Sequence, residues 1–245
     1  MKLRAQTSSG GPPVSSSRGS PEVRARAQRM AAEAQARART RELADAADAE
    51  AMQAFQGGEA RAFQRLAQRH ERALYTFALR MLGSRAAAED ATQEIFLRVV
   101  RAADGWTPTA KVRTWMFAIA RNHCIDELRK AKHRQTESLD RPLNSEEAEG
   151  TTALAQVADP KGMGPDRGAA SREIRDVLRS AIEKLPEDLR EVFLMREDAG
   201  LPFREIAEIV GIPENTAKSR MRYALEGLRT ALRAAGVTPE DARGD

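Results

Sequence analysis

Residues 203–232 read FREIAEIVGIPENTAKSRMRYALEGLRTAL, and the fold of the chain's second half follows from how this stretch must bend. A short apolar-periodic segment, Phe203 to Val210, ends at Gly211, whose missing Cβ permits a left-handed turn. Ile212 is expected as a buried turn residue, and Asn215 or Thr216 as the cap of a second helix. On that helix Ala217, Met221, Ala224, Leu225, Leu228 and Leu232 recur at helical spacing and are expected to face the first helix. The opposite side carries Lys218, Ser219, Arg222 and Arg229. Two helices, a tight glycine turn and a one-sided basic face predict a helix-turn-helix whose second helix enters a major groove. Polar residues near that helix's start are placed to meet base edges, which makes Lys218, Ser219 and Arg222 the candidates for base-edge or adjacent backbone contact, with Asn215 and Thr216 also expected among the DNA-binding residues. Arg220 is expected on a phosphate. A plain helical hairpin explains the apolar stripe equally well, but not the Gly-Ile-Pro turn joined to a basic face.

Working outward, Ser171 and Glu173 ahead of Ile174, Val177, Leu178, Ala181 and Ile182 predict a helix start and its apolar stripe. Pro186 opens the next helix, and Gly200 stops it. The second domain is therefore set at 171–232, with a tail at 233–245. Residues 135–170 contain Pro142, Gly150, Pro160, Gly162, Gly164 and Pro165, which predicts an interdomain linker. The first domain spans 46–134. It has a short helix carrying Ala51, Met52 and Phe55, then one from Phe63 to Leu82 with Gly83 as its C-cap. Helices at 85–102 and about 110–133 follow, with a Gly/Pro loop between them. Residues 1–20 are Ser/Gly/Pro-rich and predict disorder. Residues 22–44 are Ala/Arg-rich and able to form a helix, but almost no large apolar residues are there to dock it; they read as a solvated tail, in preference to a basic arm touching nucleic acid. The fold class is all-α: two small helical domains joined by a flexible linker.

The net charge is only +4, so its distribution carries the information. Residues 111–134 hold seven basic and two acidic side chains, and 218–233 hold five and one. The linker reverses this, with three basic and seven acidic. Two basic helices around an acidic connector suggest two nucleic-acid contacts. A lone cysteine, Cys124, excludes an intrachain disulfide and a Cys-rich zinc site, and fits the cytoplasm. No apolar run has the length of a membrane span and no secretion signal is evident, so no membrane insertion is expected.

Within 85–102, Asp90, Gln93, Glu94, Arg98 and Arg101 share one stripe while Ala88, Ala91, Ile95 and Val99 share another. By composition alone the polar stripe reads as ordinary solvation. In the next helix Arg121, Asn122, Ile125, Arg129 and Lys132 fall along one line, and Asp126 is spaced to pair with Lys130. A basic helix with exposed aromatics nearby suits single-stranded DNA. His123 and Cys124 point about 100° apart on a helix. They read as a satisfied imidazole and a packed thiol, with no metal and no cofactor expected. No nucleophile elbow, phosphate-binding loop or paired-carboxylate signature appears, so the chain is read as non-enzymatic.

Three segments in this order, DATQEIFLRVV (90–100), RTWMFAIARNHCIDELRK (113–130) and residues 185–228, resemble the extracytoplasmic-function (ECF) sigma factors of RNA polymerase. The resemblance covers about 46–134 and 171–232. It implies a protein that binds core polymerase and directs promoter-specific initiation. Asp90, Gln93, Glu94 and Arg98 match the motif that docks on the coiled coil of the polymerase's largest subunit. The helix from Val112 to Arg134 matches the −10 element reader, and the loop Asp104–Lys111 matches one that captures an extruded base. Trp106, Lys111, Arg113, Arg121, Asn122, Arg129 and Lys132 are the −10 candidates. Asp126 also matches a recurrent position there.

The last helix matches the −35 reader, with nearby apolar surface for the flap tip. The linker is expected to thread the enzyme's cleft, and an anti-sigma factor is the expected antagonist. Asn215 stands where glycine is frequent, and Tyr223 and Glu226 stand where basic residues are common. The 45-residue N-terminal extension is atypical, and no sensor domain is expected after Leu232. Two other readings fit parts of the pattern. One is a stand-alone helix-turn-helix regulator, marked by strong unaided operator binding. The other is a helical adaptor, indifferent to loss of Lys218 and Arg222.

Overall fold

The structure, a computed structural model, describes residues 21–139 and 169–237. The disorder expected for 1–20, the linker residues 140–168 and the tail beyond 237 lie outside the described residues. Eight α-helices follow in order: α1 (Pro21–Gln56), α2 (Ala60–Leu82), α3 (Arg85–Ala102), α4 (Val112–Leu139), α5 (Ala169–Glu183), α6 (Glu187–Glu197), α7 (Phe203–Val210) and α8 (Glu214–Ala234). Among the described residues there is no strand.

These residues divide into two units, parting between Ala44 and Asp45. In the first, residues 21–44 are helical, and most of the side chains described there are exposed, Met30 and Leu43 among them. The expected short helix around Ala51 and Phe55 is instead the end of α1, which begins at Pro21. The run between is rich in Ala, Arg, Glu and Gln, all strong helix formers, and holds no Gly or Pro to stop it. The scarcity of large apolar residues in 22–44 bears on docking, not on helicity.

The second unit has a continuous apolar core reaching from α1's end through α8. Its first layers are built by α2, α3 and α4. Leu66, Leu74, Phe77 and Met81 of α2 meet Ile95 and Val99 of α3 and Met116 and Phe117 of α4. The Phe77 and Phe117 rings meet edge-on at 5.6 Å, and Phe63 lies between Phe55 (5.0 Å) and Phe96 (6.1 Å). Such pairs add about 0.5–1.5 kcal/mol each beyond area burial. Gly83 ends α2 at φ 71° with its N–H on Leu79 O, as expected from sequence. Ser84 caps α3 by accepting from Ala87 N–H.

Several expected boundaries shift. α4 continues to Leu139, α5 already starts at Ala169, and the loop after α3 opens with a single 3₁₀ turn over Ala103–Gly105. Pro186 sits just before α6, and Gly200 adopts φ 62° after it. α8 begins at Glu214 with Pro213 as its cap residue, so neither Asn215 nor Thr216 caps it. Proline's fixed φ brings the chain into the helix two residues sooner than a side-chain cap would.

Candidate nucleic-acid interface

α7, Gly211 and α8 form the expected helix-turn-helix. Gly211 takes φ 76°, ψ 38°, and its N–H bonds Ala207 O. Ala217, Met221, Ala224 and Leu228 bury one side of α8, while Leu225 is 43% exposed, against expectation. Leu225 lies at the edge of the stripe, turned about 60° beyond its centre at 100° per residue. The opposite side presents Asn215, Lys218, Arg222 and Glu226 to solvent, with Ser219 and Thr216 half-buried. Lys218 Nζ is 2.6 Å from Glu214 one turn earlier. The Arg222 guanidinium lies 5.0 Å from the Tyr223 ring centroid, and its Nη2 donates to Tyr223 Oη at 3.3 Å. Arg220 points elsewhere, to Asp188 (3.4 Å) and Glu191 (3.4 Å) of α6.

The −10 candidates occupy α4 and the loop before it. Trp106 corrects the expectation of exposed aromatics. It is 4% exposed, and its indole N–H donates to Ala110 O at 3.0 Å. Gln56 Nε2, at the end of α1, donates to Ala103 O (2.8 Å) and Trp106 O (2.9 Å). An apolar ring that buries this fully offers a base no stacking face, so Trp106 anchors the loop here. Trp115, the other tryptophan, is half-buried. Lys111 reaches Glu205 (2.8 Å) and Asp45 (3.2 Å), and Arg113 reaches Asp45 (3.4 Å). The bond to Glu205 holds the Lys111 ammonium above the usual lysine range. Arg121 donates to Glu191 at 2.8 Å, and Lys132 to Glu187 at 3.3 Å. Asn122 and Arg129 are exposed, but Ile125, on the same expected line, is buried. Lys130 pairs with Glu127 (2.8 Å) in place of the expected Asp126.

On α3, Asp90 and Gln93 are exposed, and Arg98 donates to Glu94 at 2.9 Å. That bond holds the Glu94 carboxyl below its ordinary range. Leu97 and Val100 stand exposed on the same helix, a mixed polar and apolar surface that composition does not reveal. Behind it, His123 is 6% exposed and its Nδ1 is buried without a hydrogen-bond partner, unlike the satisfied ring expected. Burial, assisted by Arg98, pushes its pKa down. Cys124 is fully buried, which pushes its thiol up to about 12. Among the described residues no group of three His, Cys, Asp or Glu could hold a metal, and no helix is long and apolar enough to cross a membrane.

Sequence reasoning missed the carboxylates that tie these elements together. Asp48, wholly buried, accepts from Arg69 and lies 2.8 Å from His70 Nε2. Glu191 is 2% exposed between Arg121 and Arg220. Asp198 accepts from Arg80 at 2.6 Å, and burial raises its pKa although Arg80 opposes this. Their partners lie 21 to 118 residues away, beyond the reach of any helical period. The one available signal was a glutamate directly preceding the apolar run Val192–Met195.

A helix-turn-helix with an outward basic face, packed beside a second helical module with its own basic helix, defines a two-module helical DNA-binding protein. Residues 66–134 match the family Sigma-70 region 2, and residues 175–228 match Sigma-70, region 4. The ECF RNA polymerase sigma factor SigW of Bacillus subtilis is 35% identical over 179 residues, covering 72% of this chain and 91% of the relative. SigL of Mycobacterium tuberculosis is 34% identical over 181 residues, covering 74% and 94%. The chain belongs to the ECF RNA polymerase sigma factors. A solved structure, the sigma factor RpoE in complex with the anti-sigma factor NepR from Bartonella quintana, shares the fold. Its TM-score is 0.56 at 22% identity, covering 70% of this chain and 96% of that one.

Proposed function

We propose that this chain binds core RNA polymerase and directs it to promoters, α8 reading the −35 element and α4 with its preceding loop reading the −10 element. The carrying observation is the turn at Gly211, which turns one face of α8 into the core and leaves Asn215, Lys218 and Arg222 outward at its start. Residues there are positioned for base edges, with Ser219 and Thr216 beside them. Asp90, Gln93, Glu94 and Arg98 of α3 form the docking surface for the largest subunit's coiled coil, and exposed Leu97 and Val100 add apolar area. Lys111, Arg113, Arg121, Asn122, Arg129 and Lys132 supply phosphate and single-strand contacts on the −10 side. Trp106 serves by fixing the loop. The chain acts as an initiation factor for the polymerase's chemistry and works in the cytoplasm, where polymerase and template meet. An anti-sigma factor covering these faces is its antagonist, and the flap tip its second polymerase contact.

Run-off transcription with purified core enzyme on a promoter library tests this directly. The expected result is initiation at templates sharing one −35 and one −10 sequence. Lys218→Ala and Arg222→Ala should each lower selectivity at their base pair by about 5- to 150-fold, the equivalent of about 1–3 kcal/mol per contact. Initiation at no template, or tight operator binding without core enzyme, would refute the proposal.

A further inference from the structure

The first half of α8 turns two arginines in different directions. Arg220 is held on α6, 3.4 Å from both Asp188 and Glu191. Arg222 faces outward with Asn215 and Lys218. Helical spacing offers it a carboxylate one turn on, the exposed Glu226. The side chain it meets is its aromatic neighbour. The Arg222 guanidinium carbon lies 5.0 Å from the centre of the Tyr223 ring, and Nη2 donates to Tyr223 Oη at 3.3 Å. Tyr223 is 51% exposed and takes no part in the apolar core, so packing of the fold does not account for the ring. A long arginine side chain alone in water samples many rotamers. One held by a ring face and a hydroxyl together keeps its planar fork in one place and at one tilt.

We propose that Tyr223 is a positioning residue for Arg222, and that the pair reads a guanine in the −35 element as one unit. The proposal rests on α8 reading that element and adds which base is read and what orients the reader. Successive residues point about 100° apart on a helix, so Tyr223 stands beside the reading face and supports Arg222 from its flank. Its hydroxyl engages one N–H of the guanidinium and leaves the others for a base. In the major groove guanine presents O6 and N7, the acceptor pair that an arginine fork matches. A guanidinium already oriented loses less freedom on meeting them, which favours guanine over bases that cannot use the fork.

Holoenzyme assembled from core polymerase and the full chain is tested on a promoter library randomised across the −35 element, each template marked by a transcribed barcode. Sequencing the transcripts gives the preference at every base pair. The unaltered chain should prefer guanine at one position, and Arg222→Ala should abolish that preference and spare the others. Tyr223→Leu should cut the same preference about two- to fivefold, the strength of a cation–π contact at an exposed site, and spare the others. Tyr223→Phe keeps the ring and should fall between leucine and tyrosine. On the Arg222→Ala background, Tyr223→Leu should change nothing at that position, which a merely structural tyrosine would not obey. Because Tyr223 is exposed, far-ultraviolet circular dichroism should be the same for every variant. A preference untouched by Tyr223→Leu, an equal loss at all positions, or an effect that persists without Arg222 overturns the positioning role. A preference for another base overturns the guanine assignment. If Arg222→Ala alters no position, the reading of −35 DNA by Arg222 has itself failed, a result distinct from failure of the tyrosine alone.

Discussion

Replacing Asp48 tests whether the end of α1 is an integral part of the second unit. Asp48 is fully enclosed, His70 is 5% exposed at its side chain, and Arg69 is 38% exposed. Removing one member of a buried charged pair costs about 3–5 kcal/mol, mostly the cost of leaving its partner unsatisfied. Arg69 recovers much of its share by turning to water, leaving about 3 kcal/mol for Asp48→Ala. For a chain of this size that lowers Tm by about 6–12 °C. Asp48→Asn keeps an acceptor and should lose about half as much.

The pH dependence has a definite sign. Burial raises the Asp48 pKa, but His70 and Arg69 outweigh it and hold the carboxyl below its ordinary 3.8. A depressed carboxylate stabilises fully above its unfolded value and loses that contribution as pH falls through the folded value. The gap between native chain and Asp48→Ala should therefore narrow below about pH 4. Thermal unfolding followed by circular dichroism measures both effects. A loss under about 1 kcal/mol, typical of surface changes, would refute the reasoning. A gap that does not narrow in acid would do the same.

Cys124 should resist alkylation in the folded chain and react only on unfolding, because its thiol is pushed up to about 12 and enclosed. Mass spectrometry after iodoacetamide treatment, with and without urea, reads this, and rapid native labelling would contradict it. Trp106→Phe removes the bond to Ala110 while keeping most of the apolar volume. It should cost about 0.5–1.5 kcal/mol and impair −10 melting more than −35 binding. Trp106→Ala should cost about 3–5 kcal/mol through the cavity left behind. Permanganate footprinting of the open complex reports the melting, and equal loss at both elements would count against a positioning role.

Much was legible in the chain because helical period and punctuation are local. Gly83 and Gly211 mark turns that only a residue tolerant of positive φ enters cheaply, and both lie where the sequence placed them. The stripe Ala88, Ala91, Ile95 and Val99 identified α3's buried side without knowledge of its partner. Helix propensity made the Ala/Arg run legible as able to form a helix, while its continuation into the helix carrying Ala51 and Phe55 was not foreseen. Trp106 illustrates a different limit: an aromatic beside Gly and Pro reads as an exposed platform, and only packing shows that it is enclosed.

By itself the sequence determined which segments are helical, where the helix-turn-helix bends, and which sides of α3 and α8 are apolar, since these depend on residues within a few turns. Tertiary structure alone decided the pairing of Asp48 with His70, of Glu191 with Arg121 and Arg220, and of Glu205 with Lys111. Such pairs join positions far apart in the chain. Their existence depends on how the helices are brought together, which no local spacing encodes.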